Sequence, residues 1–514
     1  MRSLAVACLV LLACSDSTPP SETANPSAEA GGAGASAGSG ARAANGGAGA
    51  AAAGRVASSA GRGGSAAAAG AGGMATTAAG AGGAAPAGSN AGRGGAAAGT
   101  SGSNAGASAA AGTGGSNAGA SGSAGTSGSN AATSGAAGTT AARDIPGCEG
   151  STLLELPEDT STRGPWPIGV KTLQLGRFSN VELFYPAEPG SEQGEPEVAY
   201  DMRAFLPERE RSKVPDAEAS IVKARTYRDL PLDAAHGPYP VIIFVHGTAS
   251  FRLRSLSSAT LWASRGFVVM AGDHPNLYLA DYLGSNGCNL SVPPLDLSGD
   301  VDAEIAALTD PQAELAFLQG HIDMQRLALA GHSAGAYNVA QFSAKPGVQM
   351  VIALSGTRAV SASTSLRSVL YVSGIDDNVL PYGPGGAGLG TILYPGSSTD
   401  AYNRSPGPSA VRKRLVGIAD GGHLNVVDGC ATNAMGKTGI EVAQDNGVCG
   451  ASSVAPLADC GSVDPGTAIA ITNEVMTAAL EETLHCQDRA AWISALPGRH
   501  PEVADFHEEV AQAP

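Results

Sequence analysis

The chain of 514 residues has few aromatic residues (4%) and few charged ones (15%), and both are distributed unevenly. From about Ser15 to Ala142 there is scarcely a leucine, isoleucine, valine or aromatic side chain, because the sequence is almost entirely Gly, Ala, Ser, Thr and Asn. Such a segment buries too little apolar surface to offset its chain entropy. We therefore expect residues 15–144 to be a disordered linker, acting as a spacer, and residues 145–514 to fold as one domain.

The sequence also lacks a Cys-x-x-Cys pair and a His-Glu-x-x-His segment, which leaves a zinc site with little support. Positive charge is in deficit as well. The formal net charge is −16, and since six arginines against three acidic residues give the first 143 residues +3, the remainder carries −19. Such an acidic domain would repel phosphate backbones. We expect no metal, no cofactor and no nucleic-acid partner.

The start of the chain lacks an apolar run long enough to span a bilayer. Leu4–Leu12 has the length of a signal-peptide core and follows the positive charge of Arg2. It ends in Leu-Leu-Ala-Cys14, which resembles the bacterial lipobox. Residues 1–14 are thus expected to be a lipoprotein signal with Cys14 as the lipid anchor, exporting the protein to a bacterial membrane. Ser15 after it favours the outer membrane or cell surface. The alternative is an ordinary signal peptide in which Cys14 is incidental.

Apolar runs alternate with helical patterns in the C-terminal part. Val241–Val245 is an unbroken β-branched and aromatic run, typical of a strand buried on both faces. A helical pattern over Leu256–Ala263 and a second buried run over Phe267–Ala271 then predict a parallel crossover. The alternation continues with a helical pattern at Asp300–Leu318 and buried runs at Arg326–Ala330, Gln349–Leu354, Ser368–Val372 and Arg414–Ile418. The pattern predicts a doubly wound, mostly parallel α/β sheet.

Gly331-His332-Ser333-Ala334-Gly335 matches the nucleophile elbow, a sharp strand-to-helix turn on which small flanking residues relieve crowding around the serine. A buried run precedes it and a helical pattern over Ala334–Ala344 follows, as the motif requires. Residues 34–38 match the same pattern, but they lie in the linker with neither strand nor helix around them. Ser333 is therefore the candidate nucleophile.

A serine nucleophile needs a base and an acid that orients the base. The strand Val369–Val372 leads to Asp376-Asp377, in a segment that resembles the acid-bearing strand end of α/β-hydrolases, Gly-x-x-Asp-x-x-x-Pro. That resemblance selects Asp377, with Asp376 as the alternative. His423 follows the strand at Arg414–Ile418, which makes it the candidate base. The order Ser333, Asp377, His423 is that of this fold.

Acyl transfer also needs hydrogen-bond donors for the developing oxyanion. The backbone N–H groups of Ala334 and of Thr248, which comes directly after a buried strand and His246-Gly247, are the candidates. We interpret the remaining strand-end histidines, His246, His274 and His332, as structural.

Five further segments carry a family resemblance: Leu183–Ala187, Gly237–Pro240, His246-Gly247, Arg265–Val269 and Asp273–Pro275. Together with the elbow they resemble the platelet-activating-factor acetylhydrolase-type α/β-hydrolases over about Val181 to Leu424, although cutinase- and chlorophyllase-like esterases share these motifs. The resemblance implies ester hydrolysis through an acyl-enzyme, and we expect the substrate to be a small-molecule ester of small to medium acyl length. It does not imply a phospholipid substrate, since the segment at Asn276–Ser298 and the tail after Asn425 depart from the family pattern.

Two other functions stay open. One is a lipase- or phospholipase-like activity on long acyl chains, and the other is a catalytically silent surface protein that binds through the same fold.

Six cysteines lie in the predicted domain, at positions 148, 288, 430, 449, 460 and 486. In an exported domain they predict three disulfides, with 15 possible pairings. Local pairs, Cys430 with Cys449 and Cys460 with Cys486, would brace the chain after His423.

Overall fold

A computed structural model describes residues 148–510, except 149, 179 and 408–410. The predicted signal peptide, Cys14 and the linker at residues 15–144 lie outside the described residues. Within the described part of the chain, no helix is both long enough and apolar enough to cross a membrane.

The described residues form one sheet, whose strands run in the order β11-β10-β9-β8-β7-β5-β6-β2-β1-β4-β3. The strands are β1 (Ile168–Leu173), β2 (Val181–Pro186), β3 (Glu197–Asp201), β4 (Ile221–Arg228), β5 (Tyr239–Val245), β6 (Val268–Gly272), β7 (Ile322–His332), β8 (Val348–Leu354), β9 (Ser368–Gly374), β10 (Arg412–Ile418) and β11 (Val503–Glu509). Six adjacent strands of the sheet, β10, β9, β8, β7, β5 and β6, are mutually parallel. Antiparallel β2 and β11 flank this parallel block. The predicted mostly parallel α/β sheet is confirmed.

Ten α-helices cover the described sheet: α1 (Leu256–Ser264), α2 (Leu279–Asn286), α3 (Leu297–Thr309), α4 (Ala334–Val339), α5 (Ser398–Arg404), α6 (Gly439–Asp445), α7 (Ala451–Val454), α8 (Pro465–Leu484), α9 (Ala490–Ser494) and α10 (Leu496–Arg499). Successive residues of a strand face opposite sides of a sheet. In β5, Ile242 and Phe244 pack into the core that includes α1 and α8, whereas Val241 and Ile243 pack into the core that includes α3 and α4. Both faces are covered, which is why β5 is apolar throughout.

Two predicted helices differ from the observed ones. The helical pattern at Asp300–Leu318 is divided, because α3 ends at Thr309 and a separate 3₁₀ turn covers Ala313–Leu318. Pro311 lies between them; it has no N–H to donate and disfavours helical backbone in the residue before it. The helix after Ser333 ends at Val339 rather than Ala344, and the chain after it continues in turns in which Gln341 and Phe342 donate to the carbonyls of Asn338 and Val339.

The six cysteines of the described residues form three disulfides, which confirms their number but not the predicted pairs. The bonds are Cys148–Cys486, Cys288–Cys449 and Cys430–Cys460, with Cα–Cα distances of 6.2, 5.3 and 5.6 Å. The pairs Cys430 with Cys449 and Cys460 with Cys486 are therefore wrong. Pairing requires Cα atoms within about 7 Å, and the fold brings this proximity to residues that are distant in sequence.

Helix α8 ties the C-terminal tail to the sheet. Its Glu481 accepts a hydrogen bond from Arg265, which follows α1, at 2.5 Å, and its Glu482 accepts one from Arg414 of β10 at 2.7 Å. Arg265 and both glutamates are almost completely buried. Because a buried charge without its partner is strongly destabilising, these pairs fix the tail against the parallel strands.

Candidate active site

The strand β7 turns sharply into α4 at Ser333, whose backbone angles are φ 55° and ψ −119°. This left-handed conformation is rare for a residue with a side chain and costs about 1–3 kcal/mol. Neighbouring glycines permit it: a Cβ on Gly331 would lie 2.6 Å from the carbonyl carbon of Gly335, and a Cβ on Gly335 would overlap the carbonyl oxygen of Val245. The strained turn presents the serine at the carboxyl ends of the parallel strands, where ligands of such sheets bind.

Asp377 lies in the turn after β9 and is 7% exposed. Its Oδ1 accepts hydrogen bonds from the backbone N–H groups of Val379 and Leu380, both at 2.8 Å. Its Oδ2 lies 2.8 Å from Nδ1 of His423. The two backbone donors fix one carboxylate oxygen and direct the other at the imidazole, which holds His423 with its proton on Nδ1 and leaves Nε2 free to accept one.

The structure brings Asp377, and not Asp376, to the histidine. Asp376 is exposed, and its backbone N–H donates to the carbonyl of Gly421 at 3.0 Å. The alternative acid therefore lies on the solvent side of the same turn.

The loop that carries His423 is held by Asp459, a residue that the sequence did not single out. Asp459 Oδ2 accepts hydrogen bonds from the backbone N–H of His423 at 3.2 Å and from that of Asn378 at 2.8 Å, and its carbonyl accepts one from Leu424 at 2.8 Å. It thus links the acid turn to the base loop. Its neighbour Cys460 is bonded to Cys430, on the chain after the base.

His332, inside the elbow, supports the same loop. Its Nε2 lies 3.0 Å from the carbonyl oxygen of His423, and its ring is buried. Burial, followed by the effect of the His423 charge, holds the pKa of His332 well below its usual range. A neutral imidazole that donates from Nε2 is a positioning group for the base loop.

The two candidate oxyanion donors come from adjacent elements. Ala334 is the first residue of α4, so its N–H has no acceptor inside the helix. Thr248 comes after Gly247 in the loop that follows β5. A Cβ added to Gly247 would lie 2.9 Å from the Cβ of Ser333, so this loop passes close to the serine. Within the described part of the chain, neither N–H donates to another residue's backbone oxygen. Both groups are thus available to an oxygen bound at the serine.

His246 and His274 lie directly behind this loop. His246 Nδ1 lies 2.8 Å from the Gly247 carbonyl oxygen, and its Nε2 accepts the backbone N–H of His274 at 3.0 Å. Complete burial, and then the His274 charge, hold the pKa of His246 well below its usual range. The neutral ring fixes the peptide that precedes Thr248.

Ser333 and His423 line one cavity of about 970 Å³, together with Thr248. Ser333 and His423 are 6% and 3% exposed. Among the hydrogen bonds of the described residues, one from Ser333 Oγ to His423 is not present; such contacts in substrate-free enzymes often tighten only in the complex. The structure therefore brings the candidate acid into contact with the candidate base, and the base and the candidate nucleophile line the same cavity.

Part of the cavity lining comes from the segments that depart from the family pattern. Leu283 of α2 packs with Val442, Ala443 and Val454 from α6 and α7, and the Cys288–Cys449 disulfide joins the two segments. These residues were not predicted as site residues, because only the disulfide and the tertiary packing bring them to the cavity.

Comparison with known proteins yields one family match. The model of the family described as platelet-activating factor acetylhydrolase, isoform II, matches residues 161–277. This segment contains Thr248 but ends before Ser333. No curated protein matches the chain. A solved structure of a ferulic acid esterase from Streptomyces cinnamoneus is similar at 18% sequence identity, with a TM-score of 0.43, over 68% of this chain and 97% of the esterase chain. The sheet topology, the elbow and the family match identify an α/β-hydrolase fold.

Proposed function

We propose that this α/β-hydrolase is a serine carboxylic-ester hydrolase that acts through an acyl-enzyme. Ser333 Oγ attacks the ester carbonyl while His423 Nε2 accepts its proton, and Asp377 stabilises the resulting imidazolium. The N–H groups of Thr248 and Ala334 bind the oxyanion. The imidazolium then protonates the leaving alcohol, and a water molecule activated by His423 releases the acid.

One observation carries the proposal: His423, held by a 2.8 Å contact to the buried Asp377, lines the same cavity as a serine in a strained elbow. The strain at Ser333 has a use in catalysis, since it presents the hydroxyl at the cavity, whereas a purely structural serine would have no need of it. The matched family is described as an acetylhydrolase, which supports ester cleavage as the reaction.

For the acyl group we propose small to medium length, and a specific observation also favours long acyl chains as a second candidate. The cavity of about 970 Å³ is large, and at its edge Leu389 and Leu393 are 61% and 65% exposed. Beside them Ile392 is 91% exposed. An apolar rim of this kind could receive the remainder of a chain that extends beyond the cavity.

The test is hydrolysis of p-nitrophenyl esters from acetyl to palmitoyl by the disulfide-bonded protein, with Ser333→Ala as the control and a fluorophosphonate probe as a label of the nucleophile. We expect turnover and labelling that both depend on Ser333, and the dependence on acyl length separates the two substrate classes. A folded protein that shows neither turnover nor labelling would favour the silent binding protein.

We further propose that the protein is exported and anchored through a lipid on Cys14. The three disulfides support export, because such bonds persist mainly in oxidising compartments. Globomycin should block processing of the precursor, and Cys14→Ala should release the protein from the membrane fraction. Unchanged processing and membrane retention of Cys14→Ala would contradict the anchor.

A further inference from the structure

An arginine faces the cavity close to the proposed base. Arg254 lies between β5 and α1 and lines the same cavity as Ser333 and His423. A Cβ built on Gly429 would lie 3.2 Å from Arg254 Nη1 and 2.8 Å from the Cβ of Leu424, the residue after His423. The guanidinium therefore lies close to the loop that carries His423.

This guanidinium has few partners of its own. Its Nε donates to Ser250 Oγ at 3.1 Å, and its central carbon lies 4.8 Å from the ring centroid of Phe251. Among the residues that the structure describes, no carboxylate forms an ion pair with it. By contrast, Arg252, two residues earlier, pairs with Asp273 at 2.5 Å and with Glu182 at 3.3 Å.

The carboxylate that acts on Arg254 electrostatically is Asp428, which is occupied elsewhere. Its two oxygens accept hydrogen bonds from the backbone N–H and the hydroxyl of Ser257, at 2.8 and 2.6 Å. Asp428 therefore offsets part of the charge of Arg254 without accepting a hydrogen bond from the guanidinium. The Nη1 and Nη2 groups remain available to a molecule in the cavity.

Arg254 is half-buried, and a partly desolvated cation without a paired anion destabilises a fold. Burial lowers the pKa of Arg254 to about 10, so the side chain is still charged at neutral pH. A ligand anion would supply the missing partner. The terminal edge of a guanidinium matches a carboxylate with two parallel hydrogen bonds, in an environment where charge-assisted bonds are strong.

We infer that Arg254 binds a carboxylate of the substrate, so that the preferred ester carries one free carboxylate, either as a monoester of a dicarboxylic acid or on its alcohol portion. This inference rests on the proposed ester hydrolase. A monoanion fits better than a phosphate dianion, because Asp428 lies near Arg254 and the chain has a net charge of −16.

Two pairs of matched esters test the inference. Mono-p-nitrophenyl adipate is compared with p-nitrophenyl heptanoate for a carboxylate on the acyl side. Para-acetoxybenzoate is compared with para-acetoxytoluene for one on the alcohol side. In the wild-type protein we expect the charged ester of one pair to have the higher kcat/KM. This comparison requires no variant and so does not depend on a variant's folding.

Variants then assign the preference to the arginine. Arg254→Met should lower the ratio of kcat/KM values, charged over neutral, by roughly 10- to 100-fold, which is the range for a hydrogen bond to a charged group. Arg254→Lys should retain part of the preference, because an ammonium keeps the charge but not the two parallel bonds. The control is Arg367→Met, which removes one positive charge immediately before β9, at the opposite end of the strands from the site; its ratio should equal that of the wild type.

The outcomes separate the two proposals. Absence of Ser333-dependent turnover for all four esters would refute the ester hydrolase itself. Turnover of the neutral esters with no preference for a carboxylate, or with a preference that Arg254→Met preserves, would overturn only the role of Arg254. Faster turnover of para-acetoxyphenyl phosphate than of para-acetoxybenzoate would overturn the choice of a carboxylate.

Discussion

Replacement of Asp377 by asparagine tests the core of the proposed mechanism. An asparagine oxygen can keep the two backbone hydrogen bonds that Oδ1 receives from Val379 and Leu380, so the turn should hold its shape. The amide nitrogen would then face His423 Nδ1, where Oδ2 now lies at 2.8 Å. Two donors cannot share this contact. The imidazole would move its proton to Nε2, where it can no longer accept the proton of Ser333.

We expect kcat to fall by about 10⁴-fold, equivalent to about 5 kcal/mol of transition-state stabilisation, as in hydrolytic triads generally. The melting temperature should change little. The neighbouring Asp376→Asn is the matched control, because its side chain is exposed on the same turn, and it should retain near wild-type turnover. The assay is p-nitrophenyl ester hydrolysis with circular dichroism as the check of folding. A folded Asp377→Asn within about tenfold of wild type, or an equal loss in Asp376→Asn, would refute the assignment.

Two further predictions concern residues around the triad and in the core. Asp459→Asn weakens the carboxylate link between the backbone N–H groups of His423 and Asn378, so kcat should fall by roughly tenfold with little change in KM; an unchanged kcat would show that Asp459 does not position the base. His485→Gln tests how stability falls at acid pH. Burial lowers the pKa of His485 to about 3, whereas an unfolded histidine has a pKa of about 6.5. The contribution of this group to the unfolding free energy is therefore complete above about pH 6.5 and is lost as the pH falls toward 3. Between pH 7 and pH 5 the wild type should lose about 2 kcal/mol of unfolding free energy through this group, and His485→Gln, measured by urea unfolding, should lose correspondingly less; identical pH dependence in the two proteins would contradict the shift.

The central strands could be predicted because they are buried on both faces. Val241–Val245 lies within β5 and Phe267–Ala271 overlaps β6, since covered parallel strands are continuous apolar runs. The outer strands were missed for the converse reason. β4 is mostly exposed or half-buried, and its Ile221–Arg228 mixes apolar with charged residues. Its place in the sheet comes from pairing with β1 and β3 rather than from a local pattern.

Some residues of the candidate site could likewise be predicted from the sequence, and others could not. Ser333 is marked by a local motif with a strand before it and a helix after it, and Asp377 and His423 each follow a buried strand. Their roles remain predictions until activity is measured. Asp459 and Arg254 carry no local signal, because an aspartate before a cysteine and an arginine between a strand and a helix are common. Only the tertiary structure brings the first to His423 and the second to the cavity.

The tail after His423 has a larger part in the proposed chemistry than the family match indicates. The match ends at residue 277, whereas Asp459, which holds the base loop, lies far beyond it. The tail also supplies Val442 and Val454 to the cavity lining, and its Cys449 is bonded to Cys288. Removal of such packed and hydrogen-bonded groups leaves cavities and unpaired donors, so the tail cannot be exchanged independently of the site. Under the proposed function, substrate choice therefore depends on the matched segment, which contains Arg254, together with the tail, because residues of both line the cavity.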